Sequence, residues 1–167
     1  MTKSKKLSLS EKIIIISEHG NFEEIKTLIA QSKNIAECSE ALLTYAQSGN
    51  AELVNLLIPM SYPTSNNNYA LRLASKNGHT ECVKLLIPVS DPKDSNALWW
   101  AAADNRYECV KLLLKHSNPS SWIKRDWEVI SYDMQNFIKS FFSRVSLEKN
   151  ISISKNKISK IKKSRKI

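Results

Sequence analysis

The chain has 167 residues, and 25 lysines and arginines against 16 aspartates and glutamates give it a net charge of +9. Hydrophobic residues at 42% and charged residues at 25% are the balance of a globular chain that can bury a core without a disulfide or metal staple, so wholesale disorder is excluded. Three glycines are too few for a glycine-rich phosphate loop.

The charge sits at the ends. Lys149, Lys155, Lys157, Lys160, Lys162, Lys163, Arg165 and Lys166 fall in a stretch with no acid, and Lys3, Lys5 and Lys6 stand near the start. The body between them is close to neutral. Ile13–Ile16 falls short of the ~7–15 apolar residues of an export signal, and Ala97–Ala103 is far below the ~20 that span a bilayer. With three cysteines, an odd count, free thiols in a reducing intracellular compartment are the economical reading.

In chain order, a basic segment over residues 1–11 precedes a helix over Lys12–His19 and the turn Gly20-Asn21. Then Gly20-Asn21-Phe22-Glu23-Glu24-Ile25 leads to Leu28-Ile29, Gly49-Asn50-Ala51-Glu52-Leu53-Val54 to Leu56-Leu57, and Gly78-His79-Thr80-Glu81-Cys82-Val83 to Leu85-Leu86. Asn105-Arg106-Tyr107-Glu108-Cys109-Val110 leads in the same way to Leu112-Leu113. The turn position is Gly20, Gly49, Gly78 and Asn105, at spacings of 29, 29 and 27, and self-similarity of this kind marks a stacked repeat array.

Each unit reads as two short helices. The first, such as Ala70–Lys76, stops at a residue that tolerates positive φ. The second carries Glu23, Glu52, Glu81 or Glu108 in its first turn, where a carboxylate offsets the helix dipole. Pro59 and Pro88 close it. Met60–Asn68 and Val89–Asn96 are rich in Ser, Asn, Asp and Pro, and read as linkers. Such a hairpin buries its apolar faces only by stacking on neighbours. Beyond Pro119 the pattern ends, but Ile123, Trp127, Ile130, Met134, Phe137, Ile138 and Phe141 recur at helical steps, with Ser121 as a candidate N-cap. Residues 120–148 are therefore expected to form one long capping helix or a helical hairpin, and residues 149–167 a basic flexible tail.

The run Ala74-Ser75-Lys76-Asn77-Gly78-His79-Thr80-Glu81-Cys82-Val83-Lys84-Leu85-Leu86 resembles the ankyrin repeat, with its Gly-His pair, its glutamate and its Lys-Leu-Leu ending. The resemblance covers about residues 12–119, in about four units. The family's Thr-Pro-Leu-His opening is here Tyr69-Ala70-Leu71-Arg72 or Asn96-Ala97-Leu98-Trp99, and Pro59-Met60-Ser61 and Pro88-Val89-Ser90 replace its Gly-Ala-Asp exit. The spacing of 27–29 residues is shorter than the usual ~33, so the β-hairpin fingers of the family are expected to be cut down to tight loops. The expected fold is all-α: an ankyrin-like solenoid of helical hairpins with a C-terminal helical cap and a basic tail.

Cys82 and Cys109 occupy the slot that holds Leu53 in an earlier unit, and read as buried structural thiols rather than a disulfide or zinc pair. No acid–base–nucleophile set can be drawn, so an enzyme is not expected, and neither is a cofactor or a metal. Trp100 replaces Leu73 and is the better core candidate. Trp99 replaces Arg72 and either is exposed or is covered by Trp122 or Trp127.

The resemblance implies that a partner protein is held on the concave face, by Gln47, Ser48, Arg72, Lys76, Asn77, Trp99, Ala103 and Asp104, with the loops offering Tyr62, Asn66, Asp91 and Lys93. The tail residues Lys155, Lys157, Lys160, Lys162, Lys163, Arg165 and Lys166 form a second candidate site, for nucleic acid or another anion; an import signal, contact with an anionic membrane through Ile151, Ile158 and Ile161 (with no Trp or Phe anchor), and a solubilising tail are the other readings. The expectation is a monomeric, cytoplasmic protein-binding module with no membrane span. Host cytosol or nucleus is the location if the chain is a viral or bacterial effector, since the resemblance extends to such proteins. A nucleic-acid-associated protein is the alternative.

Overall fold

A helix that must reverse within two residues needs a left-handed residue at its end, and this requirement organises the repeats. The computed structural model describes residues 7–18, 22–32, 34–91, 96–117 and 124–164, with side chains for all of these except 17, 18, 67, 124, 125 and 149–164. Gly49, Gly78 and Asn105 have φ of 84°, 82° and 55°, so three of the four expected turns are left-handed; Gly20 lies outside the described residues. At each turn the next residue donates its backbone N–H back into the preceding helix. Asn50 reaches Tyr45 O at 3.1 Å, His79 reaches Ala74 O at 2.9 Å and Arg106 reaches Ala101 O at 2.8 Å. This bond satisfies a carbonyl that the helix end would otherwise leave orphaned.

The chain divides into two compact units, Met1–Ile130 and Ser131–Ile167. In the first, α1 (Leu9–Glu18) pairs with α2 (Phe22–Gln31), α3 (Ile35–Ser48) with α4 (Ala51–Leu57), α5 (Ser65–Asn77) with α6 (Thr80–Leu86), and α7 (Asn96–Ala103) with α8 (Tyr107–Leu113). The first helices of the pairs pack in a row, α1 on α3, α3 on α5 and α5 on α7, and the second helices form another, α2 on α4, α4 on α6 and α6 on α8. A short helix α9 (Lys124–Val129) follows. No strand occurs among the described residues, and the fold is the all-α repeat solenoid that the sequence implies.

Side-chain caps fix the starts of α1, α3 and α4. Ser8 Oγ accepts from the Glu11 N–H at 3.2 Å while Glu11 Oε2 accepts from the Ser8 N–H at 2.7 Å, a reciprocal capping box. Asn34 caps α3 through Ala36 N and Glu37 N, and Asn50 caps α4 through Leu53 N. In the second helices, Glu23–Lys26 at 2.7 Å and Glu81–Lys84 at 2.6 Å are exposed pairs one turn apart, so the glutamates act locally.

The prolines end the helices in a repeated way. α4 passes into a 3-10 turn at Ile58–Met60 and α6 into one at Ile87–Val89, with Pro59 and Pro88 as the second residue of each. Each loop is then clamped to the start of its own unit: Tyr62 N donates to Ser39 Oγ at 3.1 Å, and Asp91 N to Asn68 Oδ1 at 3.0 Å. Ser39 and Asn68 both stand ten residues before their turns, and Tyr62 and Asp91 thirteen after. These side-chain clamps hold the short loops where longer repeats would carry fingers.

The expected first helix Ala70–Lys76 is longer at its start. α5 begins at Ser65, within the stretch read as a linker, with Asn66 and Asn68 at φ 52° and 58° in its irregular first turn. Asparagine tolerates this conformation, and the Asn68 side chain is the loop clamp. The same polar composition that resembles a linker thus starts the helix.

Units are also joined across the stack. His79 Nε2 donates to Gln47 O at 2.9 Å and Arg106 Nε to Lys76 O at 2.9 Å, the same slot in successive units reaching the same carbonyl of the unit before. Tyr45 reaches Ser10 O at 3.4 Å, and Thr80 Oγ1 lies 3.8 Å from Cys109 Sγ. The core beneath is formed by Leu42, Leu57, Leu86, Leu98 and Leu113, all nearly inaccessible.

Cys38, Cys82 and Cys109 are free and buried. Burial pushes the Cys82 and Cys109 thiols up, because desolvation penalises the thiolate. In the native protein at neutral pH, iodoacetamide is therefore expected to label neither residue until the fold is opened with urea, as read by mass spectrometry. Rapid labelling without urea would contradict the burial.

In the second unit, α10 (Tyr132–Ser164) starts with Ser131 Oγ accepting from Met134 N at 3.3 Å. Met134 and Ile138 are buried and Phe137 and Phe141 half-buried. The helical stretch expected over 120–148 is thus divided between α9 and α10, with a break at Ile130-Ser131; Ser121 and Ile123 lie outside the described residues. The backbone of α10 is helical past Glu148 to Ser164, through most of the segment read as a flexible tail. No proline or glycine follows Pro119, so nothing in the sequence breaks the helix there.

Candidate partner-binding face

A straight helix advances ~100° per residue, so residues two, five and nine before a turn share one face. In the first helices, the residue seven before the turn is Ile13, Leu42, Leu71 or Leu98, and all four are buried. The opposite face is open. Five before the turn stand Ile15, Thr44, Leu73 and Trp100; nine before, Glu11, Glu40, Tyr69 and Asn96; two before, in the last three units, Gln47, Lys76 and Ala103. All of these are exposed or half-buried.

The densest part lies where α5 meets α7. Lys76 Nζ sits 4.6 Å from the centroid of the Trp100 ring, and the Arg72 guanidinium 5.1 Å from that of Tyr69. Trp99 and Trp100 meet edge to face at 5.9 Å. Cations over aromatic faces are held electrostatically, more strongly where water is partly excluded. Arg72 also donates to Asn66 O, while its Nε and Trp99 Nε1 are buried with no hydrogen-bond partner among the described residues.

Of the residues chosen from the sequence, Arg72, Lys76 and Trp99 belong to this cluster. Gln47 and Ser48 are exposed at the end of α3, with the Gln47 carbonyl taken by His79. Asn77 is half-buried and donates to Leu73 O at 3.0 Å, which commits its amide to its own helix. Ala103 is half-buried and Asp104 exposed at the end of α7. Of the loop residues, Tyr62, Asn66 and Asp91 are exposed, and Lys93 lies outside the described residues.

Trp100 is not the core residue expected. It is half-buried, its ring carrying Lys76, and Trp99 is half-buried beside it. The buried slot of α7 is filled by Leu98, which leaves both tryptophans on or near the open face. Sequence reasoning also passed over Tyr69, Leu73, Ile14 and Ile15. Their signal was present in the helical phase counted back from each turn.

Lys155, Lys157, Lys160, Lys162 and Lys163 lie on α10, where the backbone alone is described, and Arg165 and Lys166 lie outside the described residues. Among the described residues, no group of three or more His, Cys, Asp or Glu side chains is placed to hold a metal ion, and no helix is long and apolar enough to cross a membrane.

Two rows of paired helices in a common register define a helical repeat protein, a class that presents one extended face built from equivalent positions. A family model described as ankyrin repeats (3 copies) matches residues 42–124, and this stretch of the chain is an ankyrin repeat array. The matched range begins within α3 and runs through α4, α5/α6 and α7/α8 to the start of α9. The pair α1/α2 precedes the match, yet Leu9 and Ile13 stand eleven and seven residues before Gly20, as the buried Cys38 and Leu42 do before Gly49. A search of the curated proteins and a search of the solved structures each returned no match. Ankyrin repeats are in general protein–protein interaction modules and typically non-enzymatic.

Proposed function

We propose that this chain is a non-enzymatic binding module that holds a partner protein against the open face of its first helices, within a reducing cytoplasmic compartment. The observation that carries the reading is the half-exposed cluster of Tyr69, Arg72, Leu73, Lys76, Trp99 and Trp100 on adjacent helices. Tryptophan, tyrosine and arginine are the residue types that dominate binding energy at interfaces. A surface fixed by stacked helices loses little freedom on binding, so more of the contact energy remains as affinity.

A photo-crosslinking amino acid placed at Leu73 or Trp100 is expected to capture a partner in cells of the source organism, while the same group at Lys84 or Lys111 on the second helices captures none. Trp100→Ala is expected to weaken the captured interaction by about tenfold or more, the loss typical of a central interface aromatic. Capture from Lys84 or Lys111 alone would overturn the reading.

The basic stretch supports a second reading, in which nucleic acid binds the end of the chain: eight cations occur after Glu148 with no acid among them. Deletion of 149–167 separates the two. It leaves the Trp100 cross-link intact under the first reading, and abolishes salt-sensitive binding under the second.

A further inference from the structure

The open face is not uniform along its length, and its asymmetry specifies a partner. At the centre, five residues before each turn, run Ile15, Thr44, Leu73 and Trp100, with Ile14, Leu43, Arg72 and Trp99 beside them. Ile14 and Ile15 remain 47% and 46% exposed, so the apolar line stays open at its first helix, as it does at Leu73 and Trp100. The charges flanking this line change sign along it. Glu11 and Glu40 flank it on α1 and α3, whereas Arg72 and Lys76 flank it on α5, Arg72 laid over the ring of Tyr69 on its own helix and Lys76 over that of Trp100 on α7. Among the described residues of α5, α7 and the turns that end them, Asp104 is the one acid.

Resting on the reading that this face binds a protein, we infer that its partner is an amphipathic helix with an apolar stripe, acidic at the end seated over α5 and α7 and basic at the end over α1 and α3. Spacing selects a helix over a strand. Packed helices lie ~8–10 Å apart, so rungs of the apolar line recur at that interval. Residues seven apart on a helix are ~10.5 Å apart on one face, whereas same-face residues of a strand recur every ~6.8 Å. Four rungs span ~24–30 Å, the length of ~16–20 helical residues. Charge selects the direction. A carboxylate arriving at Arg72 and Lys76 makes charge-assisted hydrogen bonds in a setting where the aromatic rings already exclude part of the water.

The test uses the full chain and a synthetic amphipathic peptide of about twenty residues, long enough for the four rungs. It carries a heptad-spaced leucine stripe, glutamates at one end, lysines at the other and a nitroxide at the glutamate end. The expected result is binding, with the Trp100 indole signal broadened and the amides of Ile14 and Ile15 unaffected. Replacing the peptide's glutamates by glutamine is expected to weaken binding about threefold to fivefold, the range of exposed ion pairs. Lys76→Glu is expected to remove the preference for the acidic end. Lys76→Gln, which keeps the side-chain stem, serves if the reversal disturbs the fold by circular dichroism. Absence of binding, equal binding of the glutamine peptide, or broadening at Ile15 instead of Trp100 would each overturn the inference. In every such case, a partner still cross-linked from Leu73 or Trp100 would leave the broader reading standing.

Discussion

Leu86→Ala is expected to destabilise the protein by about 2–5 kcal/mol, the range for emptying a buried leucine site. Leu86 is fully buried and fills the same slot in α6 that Leu57 fills in α4 and Leu113 in α8. Its loss opens a cavity along the row of second helices, where neighbours on both sides lose contacts. Leu85, one residue earlier and half-buried, is the control, and Leu85→Ala is expected to cost clearly less. Urea denaturation followed by circular dichroism reads both. A cost below about 1 kcal/mol for Leu86→Ala would mean that this slot is not core.

Gly49→Ala is the second large effect, and it has two causes. The backbone at Gly49 is left-handed at φ 84°, which costs an alanine about 1–2 kcal/mol. A Cβ there would also stand 2.5 Å from His79 Nδ1, so the imidazole must move and its bond to Gln47 O goes with it. Losing such a bond costs about 1 kcal/mol, for a total near 2–3 kcal/mol. The causes are separable. In a His79→Ala background the ring is gone, so Gly49→Ala is expected to retain only the backbone part, and the two substitutions are strongly non-additive. Additive costs would show that the turn of one unit and the histidine of the next do not touch. Asn105→Gly, at φ 55°, is by the same logic close to neutral.

The features legible in the sequence were those that a single residue type enforces. Only glycine and asparagine cheaply take the left-handed turn, so Gly49, Gly78 and Asn105 declared the repeat and its phase. Cys82 and Cys109 could be placed in the core because a leucine held the same slot one unit earlier. The family followed from Gly78-His79 and the Lys84-Leu85-Leu86 ending.

What was misread depended on competition between neighbours. Ser65–Asn68 has the composition of a turn, yet α5 starts at Ser65, and the Asn68 side chain holds the Asp91 amide. Trp100 reads as core because it stands where Leu73 stands one unit earlier, but that slot is half-buried in both units, Leu98 fills the buried position, and Lys76 lies over the tryptophan ring. The stretch after Glu148 reads as a flexible tail from its Ile, Lys and Ser content, and α10 continues along its backbone to Ser164, with no proline or glycine in that stretch. The open face was sampled at its ends, at Ser48, Asn77 and Asp104, and its central line through Ile15, Leu73 and Trp100 emerged once equivalent positions on successive helices were counted from their turns.

The face exists only if the units repeat one geometry, and amide hydrogen exchange at Asn50, His79 and Arg106 tests this most directly. Each of these residues follows a turn and donates its N–H to a carbonyl of the helix before it, at 3.1, 2.9 and 2.8 Å. All three amides are therefore expected to be protected to a similar degree, although each stands in a connection between helices, where unbonded amides exchange freely. Free exchange at any one of them would mean that its unit turns differently from the others, and that the positions aligned here do not share a face.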